Sequence, residues 1–138
     1  MAFNIIDYSE VFFVDLEEGE IPRQRDGKFV LIANHHNLYA VFSPRGLSHY
    51  HANIVERFLS LNGAHGQYNP KRDVFCPESP DWQVLGGGFW KVDDDEGTLR
   101  IYGHSQAYGG VDLLTFAEDV RLAGSLGKGQ YVIVGQSG

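Results

Sequence analysis

Short runs of β-branched and aromatic residues alternate along this chain with two longer runs whose apolar positions fall at helical spacing. That interleaving confines the chain to a mixed α and β architecture. Val11-Phe12-Phe13-Val14 and Lys28-Phe29-Val30-Leu31-Ile32-Ala33 read as strands, with the charged stretch from Glu17 to Gly27 as a loop between them. Ser43-Pro44 offers a helix start, serine as cap and proline in the first turn, ahead of Leu47, Tyr50, Ile54, Val55, Phe58 and Leu61. Asn62-Gly63 ends that helix, and Gly66 to Asp81 reads as surface loop. Trp82 to Val92 and Thr98 to Gly103 form a predicted hairpin around Asp93-Asp94-Asp95-Glu96-Gly97. Gly109-Gly110 leads into a second helix over Val111 to Ala123, with Leu113, Leu114, Ala117 and Val120 on one face and Gly124 and Gly127 as stops. Gln130 to Val134 is the last predicted strand. The expected fold class is α+β: a single mixed β-sheet of about six strands with two packed helices. Without repeats, linkers or low-complexity tracts, residues 1–138 read as one domain.

Composition narrows the function. With 43% hydrophobic residues the chain can fill a core, so disorder is excluded. Eleven Lys+Arg against 18 Asp+Glu give a net charge of -7, which opposes the counterion release that drives binding to nucleic acid. One cysteine, Cys76, cannot form an internal disulfide, and the Cys and His residues lack the spacing of a zinc site. The N-terminus carries no basic segment before an apolar run, and no stretch approaches the ~20 apolar residues of a membrane span. The expectation is a cytoplasmic protein, a monomer by preference, with no nucleic-acid or membrane partner, no metal and no cofactor.

Four features bear on chemistry. On a helical wheel with Tyr50 at zero, His51 falls at about 100°, between Phe58 at about 80° and Val55 at about 140°. An inward histidine is either a core residue satisfied by a carbonyl or a functional group in a buried site. Ser105-Gln106-Ala107-Tyr108-Gly109-Gly110 stands between a strand and the start of the second helix, where free amides and the helix dipole favour an anion, or where glycines simply permit a turn. Gly86-Gly87-Gly88 inside a strand weakens the sheet unless a close backbone approach needs it, in packing or in a pocket. The four consecutive carboxylates from Asp93 to Glu96 lack the alternating spacing of a calcium loop and read as a solvated turn. Cys76 has no arginine where a cysteine-phosphatase loop needs one, no Gly-x-Ser-x-Gly elbow is present, and neither His49 with His51 nor His35 with His36 makes a natural metal clamp.

Ser48-His49-Tyr50-His51-Ala52-Asn53-Ile54, Val84-Leu85-Gly86-Gly87-Gly88 and Ile101-Tyr102-Gly103-His104-Ser105-Gln106-Ala107-Tyr108-Gly109 together resemble, in order and spacing, the three signature segments of the Janus/Ocnus family, which includes protein phosphohistidine phosphatase. Lys28-Phe29-Val30-Leu31-Ile32 is similar to that family's lysine-bearing strand. The resemblance runs from about Lys28 to the final strand. It implies metal-independent removal of phosphate from phosphohistidine in a protein or peptide, with His51 as the catalytic group. It also implies a phosphate pocket made by Lys28 with Ser105, Gln106 and Ala107. A phosphoramidate is already reactive, so charge neutralisation plus one general base or nucleophile suffices.

One position departs from the family pattern. An arginine commonly follows the glycine triplet, whereas Phe89, Trp90 and Lys91 stand here. Loss of that guanidinium removes a bidentate phosphate donor. Lys91 shares a strand face with Phe89, about 6.6 Å further along, and is a candidate substitute. Two functions remain open at this level: a phosphohistidine phosphatase, or a non-catalytic module of the same fold that binds a phosphorylated or anionic partner.

Overall fold

β2 (Gln24–Asn34) and β6 (Trp82–Asp93) run antiparallel at the centre of a six-stranded mixed sheet in the computed structural model, which describes residues 2–124, 126 and 131–136. On one side of β2 lie β3 (Asn37–Pro44), antiparallel to it, and β1 (Ala2–Asp7), parallel to β3. On the far side of β6 lie β7 (Thr98–Tyr102), antiparallel, and β8 (Val132–Gln136), parallel to β7. Residues 66–77 add a two-stranded hairpin of β4 (Gly66–Tyr68) and β5 (Phe75–Pro77). No helix among the described residues is long and apolar enough to cross a membrane.

Alternation along the strands builds two cores. Val30, Ile32 and Val41 face α1 (His51–Leu61), where Ile54, Val55, Phe58 and Leu59 are buried. Phe29, Phe42, Trp90, Val92, Leu99 and Ile101 face the other way, onto Phe116, Ala117 and Val120 of α2 (Leu113–Leu122). Phe116 stacks on Phe29 with centroids 4.5 Å apart, so the second helix is fixed to the central strand by an aromatic pair. The sheet, its mixed pairing and the two helices on opposite faces agree with the expected α+β class.

Several boundaries differ, each for a physical reason. Val11 to Val14 is not a strand; Glu10–Leu16 forms a π-helical segment, and Val11 and Val14 are exposed. A short apolar run does not reveal its own period, and β1, one turn earlier, takes the place beside β3. Ser43-Pro44 does not begin α1. The two residues end β3, paired with Lys28 and Gly27, and the Ser43 hydroxyl bonds that of Ser48 at 2.8 Å. The ladder thus outcompetes the capping role, and α1 starts at His51, where the Asn53 side-chain oxygen accepts the Tyr50 amide at 2.8 Å. Likewise α2 starts at Leu113, capped by Asp112 through the Thr115 amide at 3.2 Å. Residues 66–81, expected as loop throughout, contain the β4–β5 hairpin. The final strand falls at Val132–Gln136; Gly127 and Gln130 lie outside the described residues.

The acidic turn is more than a solvated run. Asp93 accepts the amides of Asp95 and Glu96, Asp95 pairs with Arg23, and Asp94 binds Arg25 and the Tyr131 hydroxyl. Burial works against the Asp94 carboxylate, but the Tyr131 and Arg25 hydrogen bonds outweigh it and hold its pKa below the usual value.

Candidate functional site

A cleft of about 540 Å³ opens where the start of α1 meets the C-terminal part of β6 and the turn after β7. Lys28, His51, Phe89, His104, Gln106 and Ala107 line it, together with Tyr50, Gly103, Asp73 and Val74. The structure therefore brings together four residues expected from the sequence: His51, Lys28, Gln106 and Ala107.

His51 is the first residue of α1 and is 7% exposed. Its Nε2 lies 2.8 Å from the Gly88 carbonyl oxygen. A carbonyl only accepts, so Nε2 carries the proton and donates, which leaves Nδ1 as the basic, unprotonated nitrogen of the neutral ring. Burial lowers the His51 pKa below the ordinary 6.5, and the nearby Lys28 and His104 lower it further, against the opposing hydrogen bond to Gly88. The ring is held neutral, in one tautomer, at the wall of a cleft. The reading of a histidine satisfied by a carbonyl holds for one nitrogen, and the ring also lines the cleft.

The glycine triplet makes this approach possible. A Cβ on Gly87 would collide with the Phe29 carbonyl oxygen and stand 3.1 Å from His51 Cδ2 and 3.4 Å from Ser105 Cβ. One point on β6 is thus flanked by the histidine on one side and the turn on the other. A Cβ on Gly88 would stand 2.8 Å from both the Phe29 ring and the Tyr102 carbonyl. At Gly87 a side chain would press on the ring and turn that line the pocket, whereas at Gly88 it would enter the packed space beside Phe29. A β-bulge precedes the triplet, since Leu31 pairs with Gly86 and Ile32 with Val84, skipping Leu85.

Ser105 builds the turn rather than lining the cleft. Its amide bonds the Gly87 and Gly109 carbonyls at 3.1 and 3.2 Å, its hydroxyl accepts the Tyr108 amide at 3.1 Å, and its side chain is buried. Those bonds cap the turn at both ends. The amides of Gln106 and Ala107, at its tip, find no acceptor among the described residues. Two adjacent unpaired amides with Lys28 across the cleft suit an anion. The helix-start origin expected for this anion site is corrected: Gly110, Val111 and the Asp112 carboxylate separate the turn from α2, and Asp112 already occupies that terminus.

Lys28 and Phe89 are paired residues on β2 and β6, and the lysine Nζ lies 5.6 Å from the ring centroid. Phe89 also stacks on Tyr102 at 5.8 Å and meets His51 edge-on at 5.4 Å. Lys91 shares that face, as alternation requires, but is exposed beside Asp26 and Arg100 and does not line the cleft. Trp90, on the opposite face, is fully buried and donates its indole N–H to the Lys28 carbonyl at 3.0 Å.

Sequence reasoning did not single out Tyr50, Asp73, Val74 or His104 as site residues. Tyr50 and His104 sit inside the signature segments and were legible from adjacency. Asp73 and Val74 come from the stretch read as loop. That stretch is locked in place: Asn69 Oδ1 accepts the Asp73 and Val74 amides at 3.0 Å each, and its Nδ2 donates to Asp73 at 2.6 Å. Tyr108, in the turn segment, both accepts the Phe75 amide at 2.8 Å and donates to the Phe75 carbonyl at 2.7 Å. Burial pushes its pKa up to about 12, so it remains a neutral donor.

A search of curated proteins finds no match to the chain. The sequence pattern of the Janus/Ocnus family (Ocnus) matches residues 16–123, a span that holds Lys28, the Tyr50-His51-Ala52 helix start, the glycine triplet and the 105–109 turn, and the chain belongs to that family.

Proposed function

We propose that the protein is a phosphatase that removes phosphate from phosphohistidine in proteins or peptides, without a metal in the reaction. The observation that carries this reading is the tautomer of His51: Nε2–H is committed to the Gly88 carbonyl, which leaves Nδ1 free in a cleft shared with Lys28 and two unpaired amides. Lys28 and the Gln106 and Ala107 amides would neutralise the phosphoryl oxygens as charge builds on them. Nδ1 would either take the proton of an attacking water or attack phosphorus itself; in both cases the substrate P–N bond breaks and its electron pair goes to the leaving imidazole, and in the second case a water then breaks the new P–N bond to His51 and releases phosphate.

The test pairs two measurements on one preparation. Phosphate release from phosphohistidine should persist in the presence of a chelator. His51→Ala should lose it while remaining folded, by about 100-fold to 10,000-fold for a general base and nearly completely for a nucleophile. Wild-type turnover in well-folded His51→Ala would end the catalytic assignment.

Phe89 supports a second reading. An aromatic ring in place of the family's common arginine leaves Lys28 as the one lysine or arginine lining the cleft among the described residues, which fits a module that binds a phosphorylated or anionic partner without turning it over. No phosphate release from wild type, with phosphate binding retained, would favour it.

A further inference from the structure

Asp73 stands out among the residues lining the cleft because a carboxylate repels a phosphoryl dianion. It is not neutralised from within: no basic side chain among the described residues pairs with it, and neighbouring Arg72 lies over the Tyr68 ring, 4.4 Å from its centroid. Nor is its position free to drift. Asn69 holds it with two hydrogen bonds and its neighbour Val74 with a third, the Tyr108 hydroxyl clamps Phe75 to the 105–109 turn, and Tyr68 bonds both Asn53 and Glu56 of α1. The segment that carries the carboxylate is thus tied to α1 and to the turn, beside a site whose other polar groups, Lys28 and the turn amides, favour negative charge.

A fixed negative charge beside an anion site favours a ligand that carries a positive charge next to its negative one. We infer that Asp73 selects substrates in which the phosphoryl-bearing side chain is flanked by a lysine or arginine, whose cation it engages at the cleft rim. This inference rests on the phosphoryl-binding reading of the cleft and names the substrate class within it. Asp73 is then a specificity residue: it touches the flank of the substrate, not the reacting atoms.

The experiment separates recognition from turnover by using His51→Ala as a background that binds but does not hydrolyse. Fluorescently labelled phosphohistidine peptides with Arg, Ala or Glu flanking residues are titrated into His51→Ala and into His51→Ala/Asp73→Asn. Asparagine keeps an acceptor for the Asn69 amide and removes only the charge. The single variant should prefer the Arg-flanked peptide over the Ala-flanked one by about fivefold at low salt, a typical size for a partly exposed charge pair. The double variant should lose that preference, with the Glu-flanked peptide binding more tightly than before because a repulsion is gone. A uniform loss across all three peptides would make Asp73 a structural residue and overturn the inference, as would a preference that survives Asp73→Asn. If free phosphohistidine is weakened as much as the Arg-flanked peptide, the imidazole itself supplies the positive charge and the flanking claim falls. Phosphate release by wild type is scored separately, so an inactive but charge-selective protein would sink the phosphatase reading alone.

Discussion

Lys28 and Phe89 face each other across the two central strands, with the ammonium 5.6 Å from the ring centroid and the ring itself against the catalytic candidate His51. The ammonium that faces the cleft therefore rests on an aromatic surface. Lys28→Ala should weaken binding of phosphate or vanadate with little change in melting temperature, because its head group serves the cleft and its stem is only half buried. Phe89→Arg should do the reverse. A guanidinium within reach of the phosphate would tighten binding by about tenfold or more, while loss of the Tyr102 stack costs about 0.5–1.5 kcal/mol. Isothermal titration and thermal melts on both variants check this; unchanged phosphate affinity in Lys28→Ala would remove it from the site.

The buried, neutral His51 predicts how the protein answers to acid. Its folded-state pKa lies below 6.5, so the folded protein binds fewer protons there than the unfolded chain does. The resulting contribution to stability is full above the unfolded value and is lost as pH falls below it, through the lowered folded value. Activity that needs the free Nδ1 should likewise hold steady down to below pH 6.5 and then fall. Chemical denaturation from pH 8 to pH 5 for wild type and His51→Gln gives the first comparison, and a pH profile of kcat/KM gives the second. A stability slope identical in the two proteins would show that His51 titrates no differently on folding.

Gly87→Ala should be costly for fold and site together. The new methyl meets the Phe29 carbonyl on the neighbouring strand and presses on the His51 ring at 3.1 Å, so the strand or the helix start must shift. The expected result is a loss of about 1–3 kcal/mol of stability, with a drop in turnover larger than the unfolded fraction explains, because a displaced ring loses its alignment. Full activity per folded molecule would mean that His51 does not need the Gly88 hydrogen bond to work.

The parts of this molecule that were legible in its sequence are those fixed by local pattern. Phe29 and Val30 point to opposite cores because strand alternation demands it, and His51 turns inward because it falls within the same stripe as Val55 and Phe58. The convergence of His51 with Gln106 and Ala107 followed from motifs read in combination. Contacts between distant segments decided the rest. Ser43-Pro44 has good capping chemistry, yet pairing with residues 27 and 28 kept it in a strand. Ser105 looked like a phosphate ligand, but both Gly87 and Gly109 claim its amide. Asp73 is held locally by Asn69, but nothing in that pairing says it meets the cleft, because the segment is brought there by Tyr108 reaching the backbone of Phe75, 33 residues away in sequence.

The indole of Trp90 hangs from the carbonyl of Lys28 inside the opposite core, sealed from water. Any movement of the strand that carries the lysine must stretch or bend that hydrogen bond, and indole emission responds to the strength of such a bond. Of the two tryptophans, Trp90 is the fully buried one, an optical gauge mounted behind the cleft where a dissolved quencher that reaches partly exposed Trp82 does not follow. An anion that drew Lys28 and its strand toward the cleft would therefore be readable as light from the other face of the sheet, with no label attached.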